Sequence, residues 1–188
     1  MNKENNTSIS ICILRLSAIG DATHIIPIIS TLQKYHKKAD ITWIIGKTEY
    51  ELVKMLDNVN FIVIDKSKTL DSVIGMHKYL RKKNFDIVFH MQKSLRSKFL
   101  GRIINGKINV TFNDIKTNNN HVLDIFFSFL EKINIQTKEL NWQTNKILTF
   151  CDSFIDETNI EKFKPFVAIN PFTSERVNNY REWDYDNY

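Results

Sequence analysis

Nineteen residues near the start of the chain, Ile9 to Pro27, read ISICILRLSAIGDATHIIP. A β-branched apolar run ends at Arg15 and Leu16. A small-residue turn follows, Ser17-Ala18-Ile19-Gly20, and then a single acid, Asp21, leads into an apolar segment with helical spacing. The pattern predicts a strand, a tight turn and a helix start. A strand apolar on both faces suits the middle of a parallel sheet. In open α/β sheets, ligands bind where strands end and helices begin. The turn lacks the glycine spacing of a dinucleotide fold or a P-loop, so neither of those phosphate-binding readings applies.

The rest of the chain supports this class. Strands are predicted at Ile41 to Ile45, Phe61 to Ile64, Phe85 to Met91 and Ile108 to Phe112. Between them lie helical segments at Ile25 to Lys37, Glu49 to Leu56, Leu70 to Lys83, Leu95 to Ile104 and His121 to Ile133. Pro27 lacks an amide donor, so the first long helix starts close to it or bends there. Strict alternation of this kind implies α/β, with a Rossmann-like parallel sheet and helices on both faces. The alternation stops in Ile135 to Lys146 and restarts with a short strand at Pro165 to Asn170. The expected division is a polar tail over 1–8, a domain over 9–146, and over 147–188 a connection and the opening of an incomplete second domain.

Composition narrows the setting. The chain has 188 residues, is 43% hydrophobic and carries a net charge of +5. No run reaches the roughly 18 apolar residues of a spanning helix, and no signal peptide is expected in the polar start. Two cysteines make neither a disulfide framework nor a metal site, and Cys12 reads as a small core residue. The cytoplasm is the expected compartment. The positive charge fits a solvated lysine surface, or a partner bearing phosphates or carboxylates.

Several residues are candidates for chemistry. Asp21 can cap the following helix, or act as a general base presented at a strand end. His24 lies about one helical turn further on. Ser17 can donate to a substrate oxygen or bond its own turn. Gln92, Lys93, Ser94 and Arg96 follow the fourth strand on the same sheet edge. They either hold an acidic, hydroxylated ligand or form an ordinary turn. His121 opens a Phe-rich helix as a cap or as a ligand contact. Beyond the last strand come Thr173, Ser174 and Arg181, a set able to hold a phosphate.

In series these pieces resemble glycosyltransferase family 9, the lipopolysaccharide heptosyltransferases. The first match is Leu14 to Asp21 with His24 and Pro27. The second is the strand from Asp86 into Gln92, then Arg96 and Ser97. The third is the His121-led helix. The fourth is Asn170-Pro171, Thr173-Ser174 and Arg181-Glu182-Trp183. The chain departs from the pattern at Ile25, where a small or hydroxyl residue is usual, at Lys93, where glycine is usual, and at Phe172.

The resemblance implies the N-terminal half of a GT-B fold and an inverting transfer of heptose from a nucleotide-heptose such as ADP-heptose. The acceptor would be the lipopolysaccharide inner core, Kdo-lipid A or a heptosyl acceptor. It implies Asp21 as general base, with Ser17, Ala18, Ile19, Gly20, His24, Gln92, Arg96 and His121 around the acceptor. Thr173, Ser174 and Arg181 would meet the donor. No metal, cofactor or nucleic acid is expected, and peripheral contact with the inner face of the membrane fits the charge. Replacing Asp21 by Ala is expected to abolish transfer and leave the fold intact. An alternative reading is a non-catalytic acceptor-binding remnant or half of a split glycosyltransferase. A basic nucleic-acid-binding module ranks last, because most aromatics fall at core-like positions.

Overall fold

Ile9–Leu14 forms β1, and its side chains alternate between two cores. Ile11 and Ile13 face one side; Cys12 and Leu14 face the other, and all four are fully buried. A strand buried on both faces must lie inside a sheet with helices above and below. The computed structural model has this arrangement. It describes residues 8–65, 79–80, 82–116 and 121–143, with Leu95 and Arg96 by their backbone alone.

After β1 come α1 (Ile19–Thr23), α2 (Ile25–Tyr35), β2 (Ala39–Gly46), α3 (Lys47–Val53) and β3 (Val59–Ile64). Then follow β4 (Phe85–His90), α4 (Leu95–Gly101), β5 (Gly106–Thr111), a 3-10 turn at Phe112–Asp114 and α5 (Val122–Glu131). The described strands make a five-stranded sheet in the order β3-β2-β1-β4-β5. Every pairing is parallel, with Ile11 beside both Ile41 and Ile87. The chain runs outward from β1 to β3 and then returns to the other side of β1. The strand order therefore reverses between β1 and β4, the place where such sheets form a ligand crevice.

The expected α/β class and the helices on both faces are present. α2, α3 and α5 cover the Ile11 face, where Trp43, Phe89, Phe126 and Phe129 pack together. α4 covers the Cys12 face through Leu100, followed by Ile104. Burial pushes the Cys12 thiol well above its ordinary range, as suits a core residue. α2 starts at Ile25, close to Pro27, which is the first of the two expected alternatives. Pro27 sits in the first turn, where its missing donor leaves no hydrogen bond unmade. The break that the sequence hinted at lies just before, at His24, between α1 and α2.

Most of the helix expected over Leu70 to Lys83 lies outside the described residues. So do the connection and second domain expected over 147–188, with the strand at Pro165 to Asn170.

Candidate active site

The site begins where β1 and β4 end side by side. The Met91 amide donates to Leu14 O at 3.1 Å, and the Leu16 amide donates to Gln92 Oε1 at 2.7 Å. Gln92 Nε2 then donates to Ser17 Oγ at 3.2 Å. Both ends of the Gln92 amide are thus committed to joining the two strand ends. From β2, the Gly46 amide donates to Leu16 O at 3.1 Å, and Trp43 Nε1 donates to Arg15 O at 3.1 Å. The turn after β1 is held from both neighbouring strands. It contains a cis peptide between Ser17 and Ala18.

This fastening delivers α1. Ala18 is its N-cap, and Ala18 O accepts the Ala22 amide at 2.8 Å. Ile19 is exposed. A methyl group placed on Gly20 would meet nothing within 4 Å, so the backbone there faces open space. That is the room a ligand needs to approach the turn closely. Asp21 lies in the first turn of α1, and neither α1 nor α2 has a side-chain cap at its N-terminus. The capping role is therefore not the one Asp21 performs.

Its partner is Arg15. The Arg15 guanidinium donates through Nη2 to Asp21 Oδ2 and through Nη1 to Met91 O. It also lies 5.3 Å from the centre of the Phe126 ring. Arg15 is only 8% exposed, whereas the Asp21 side chain is 36% exposed. Burial draws the Arg15 pKa down, while the charges of Asp21 and Glu49 oppose that shift. A cation this deep needs a carboxylate beside it. Sequence reasoning passed over Arg15 as a chemical group. The available signal was a charge at the end of an apolar strand, with an acid six residues later.

His24 closes the corner. Its Nδ1 lies 2.6 Å from Gly20 O. Its ring centre is 5.9 Å from that of His121 and 5.6 Å from that of Trp142, and Phe126 meets it edge-on. His121 caps α5, with Nδ1 accepting the Leu123 amide at 3.2 Å. The fold thus joins Arg15, Asp21, His24 and His121 through Phe126 and Trp142, although His121 is far along the chain. Arg96 starts α4 on the same edge, and its side chain is not among those described. Thr173, Ser174 and Arg181 lie outside the described residues. Chemically, the corner offers a partly exposed carboxylate oriented by a buried cation, an open backbone turn and two neighbouring imidazoles, one of them, His24, beside a tryptophan.

Comparison with known proteins points one way. The lipopolysaccharide core heptosyltransferase OpsX of Haemophilus influenzae is 33% identical over 137 residues, which cover 65% of this chain and 40% of that protein. A glycosyl transferase family 9 structure from Veillonella parvula shares the fold with a TM-score of 0.60 and 21% identity. That match covers 70% of this chain and 44% of the other. Escherichia coli heptosyltransferase WaaC with ADP matches with a TM-score of 0.60 and 16% identity, over 71% of this chain and 49% of its own. The chain spans less than half the length of these relatives. No protein-family model matches it.

Proposed function

Since the chain belongs to glycosyltransferase family 9, the lipopolysaccharide heptosyltransferases, we propose that it is the acceptor-side part of an inverting heptosyltransferase, with Asp21 as general base. The observation that carries this reading is the partly exposed Asp21 carboxylate, anchored by Arg15 at the carboxyl rim beside an open turn. In the proposed step an acceptor hydroxyl attacks the anomeric carbon of an activated heptose from the face opposite the leaving group. The new C–O bond forms as the bond from the anomeric carbon to the diphosphate oxygen breaks. The diphosphate leaves with the electron pair, Asp21 takes the hydroxyl proton, and the configuration inverts. A positioned base of this kind contributes about 10²–10⁴-fold.

The acceptor would lie against Ser17 to Gly20, bounded by His24 and His121, with Gln92 setting the turn and Arg96 nearby. Its chemistry is the sugar-acid and phosphate-rich inner core of lipopolysaccharide. The donor would be ADP-heptose, a reading supported by relatives whose structures carry ADP and ADP-2-deoxy-2-fluoro heptose. Thr173, Ser174 and Arg181 would steady the departing diphosphate. The two-domain GT-B architecture, with its boundary near residue 146, belongs to the same proposal. So do a cytoplasmic setting and contact with the inner membrane face. Among the described residues no helix is long and apolar enough to cross a membrane.

The test is an assay of the full-length polypeptide with ADP-heptose and Kdo-lipid A, read as ADP release. Transfer is expected from the native protein and loss of transfer from Asp21→Asn. Undiminished turnover in that variant removes Asp21 from the mechanism.

A further inference from the structure

A second concave site lies on the same sheet edge, beyond β4. A cleft of about 720 Å³ opens at the carboxyl ends of β4 and β5. His90 ends β4 and shares the α4 face with Val88, two residues earlier. Lys98 lines the cleft from α4, Arg102 from the C-cap of that helix, Lys93 from the turn after β4, and Asn113 from the 3-10 turn. The Asp21 corner lies toward the other face, where Arg15 packs on Phe126, and the two sites adjoin at Gln92, which fastens the turn after β1 and also lines the cleft.

The charges in this cleft are unbalanced. Lys93, Lys98 and Arg102 line it, and no carboxylate does so among the described residues. None of the three makes an ion pair among the described residues. Lys93 lies 4.7 Å from the centre of the Phe112 ring, and Arg102 lies 5.7 Å from that of Phe99. Aromatic faces hold the cations without neutralising them. The neighbouring acid, Asp114, is already occupied by the Thr111 amide and hydroxyl, each at 2.8 Å. His90 adds a second kind of signal: its Nε2 is buried and has no hydrogen-bond partner among the described residues. Burial and the charge of Lys98 hold that imidazole below its ordinary pKa. Gly101 makes room for the ring, since a Cβ there would come within 2.9 Å of His90 Nδ1.

We propose that this cleft binds a phosphate monoester, held by Lys98 and Arg102 with His90 and Asn113 beside them. A dianion matches several unpaired cations better than a single carboxylate does. Guanidinium and ammonium groups supply the charge-assisted bonds that phosphate oxygens accept. Phe99, 66% exposed next to these cations, makes a lipid-borne phosphate a second source of the same chemistry.

The test titrates the whole chain with inorganic phosphate by calorimetry, and in parallel with phosphatidylcholine vesicles containing phosphatidic acid. The expected result is saturable binding in at least one arm, weakened about tenfold or more by Lys98→Ala with Arg102→Ala. Lys38→Ala, at the opposite sheet edge, should bind as the native chain does. Saturation by inorganic phosphate assigns the site to a soluble phosphate compound; saturation by vesicles alone assigns it to a membrane-borne one. Both substituted side chains are exposed, and circular dichroism checks the fold; Lys98→Gln with Arg102→Gln serves if the alanine pair does not fold. No binding in either arm, or undiminished binding in the folded variant, overturns the proposal.

Discussion

Arg15 and Asp21 stand six residues apart and form an ion pair with one member inside the protein and the other at its surface. The pair gives Asp21 a structural role beside its proposed catalytic one, and the two roles separate by substitution. Asn at position 21 keeps an oxygen that accepts from Arg15; Ala does not. Asp21→Ala is still expected to fold, but at a cost in stability, because Ala removes the carboxylate partner of a buried guanidinium and leaves it Met91 O and the Phe126 ring. Urea denaturation should show Asp21→Ala less stable by about 1–3 kcal/mol, since the partner left behind is buried while the lost group was partly solvated. Asp21→Asn should lose less than half of that, while both variants lose transfer.

Gln92 illustrates a different dependence. Its carbonyl takes the Leu16 amide, and its amide nitrogen reaches Ser17. Gln92→Leu is close in volume but leaves the Leu16 N–H without its partner. The expected cost is about 1–3 kcal/mol by denaturation. Amide exchange at Leu16 and at its neighbours Ser17 and Ala18 should accelerate more than at Ile41, in the middle of β2.

The sheet was legible because its signal is local. Apolar runs such as Ile9 to Leu16 and Phe85 to Met91 need only period and length to be read as buried strands, and Cys12 was placed correctly inside one. The Asp21 corner was legible only in part. Its acid, its glycine and its histidine are near neighbours in sequence, so the turn announced them. Arg15 was overlooked because its burial depends on α5 laying Phe126 against it. The meeting of His24 with His121 and Trp142 depends on the packing of α5 and the following connection, which no local pattern encodes. The β4–β5 cleft was hidden for a similar reason. Lys98 and Arg102 look like an ordinary solvated helix face until β5 and the 3-10 turn place Thr111, Phe112 and Asn113 opposite them.

Gly46 and Gly20 should respond oppositely to the same change. A Cβ at Gly46 would lie 2.4 Å from Leu16 O, a backbone atom that cannot swing away, and 2.3 Å from Glu49 Oε2. Gly46→Ala must therefore move the end of β2 away from the turn after β1. A loss of about 1–3 kcal/mol is expected, as for overpacking elsewhere. Gly20→Ala meets nothing and lies inside α1, so thermal unfolding should be unchanged or raised, by about 0.5–1 kcal/mol at most. If the acceptor approaches that backbone, the same methyl group should raise its KM in a folded enzyme. Unchanged acceptor kinetics would place the acceptor elsewhere.

The response to acid should be governed in part by Asp86, at the amino end of β4. Its Oδ1 pairs with Lys107 at 2.8 Å, and its Oδ2 accepts the Ser10 amide at 2.9 Å and the Ser10 hydroxyl at 3.0 Å. Lys107 first, and then the two Ser10 bonds, lower its pKa from 3.8 to about 2. The folded state thus binds this proton less readily than the unfolded chain. Its contribution to stability is fully present above the unfolded pKa and fades as pH falls from about 4 toward 2. Asp86→Asn removes the titrating group and keeps the side-chain volume. The variant should be less stable than the native chain at pH 7, and the gap between them should narrow as pH falls from 4 to 2. Urea midpoints at pH 7, 4, 3 and 2 measure this directly, and a gap that stays constant across them would show that Asp86 does not titrate with folding.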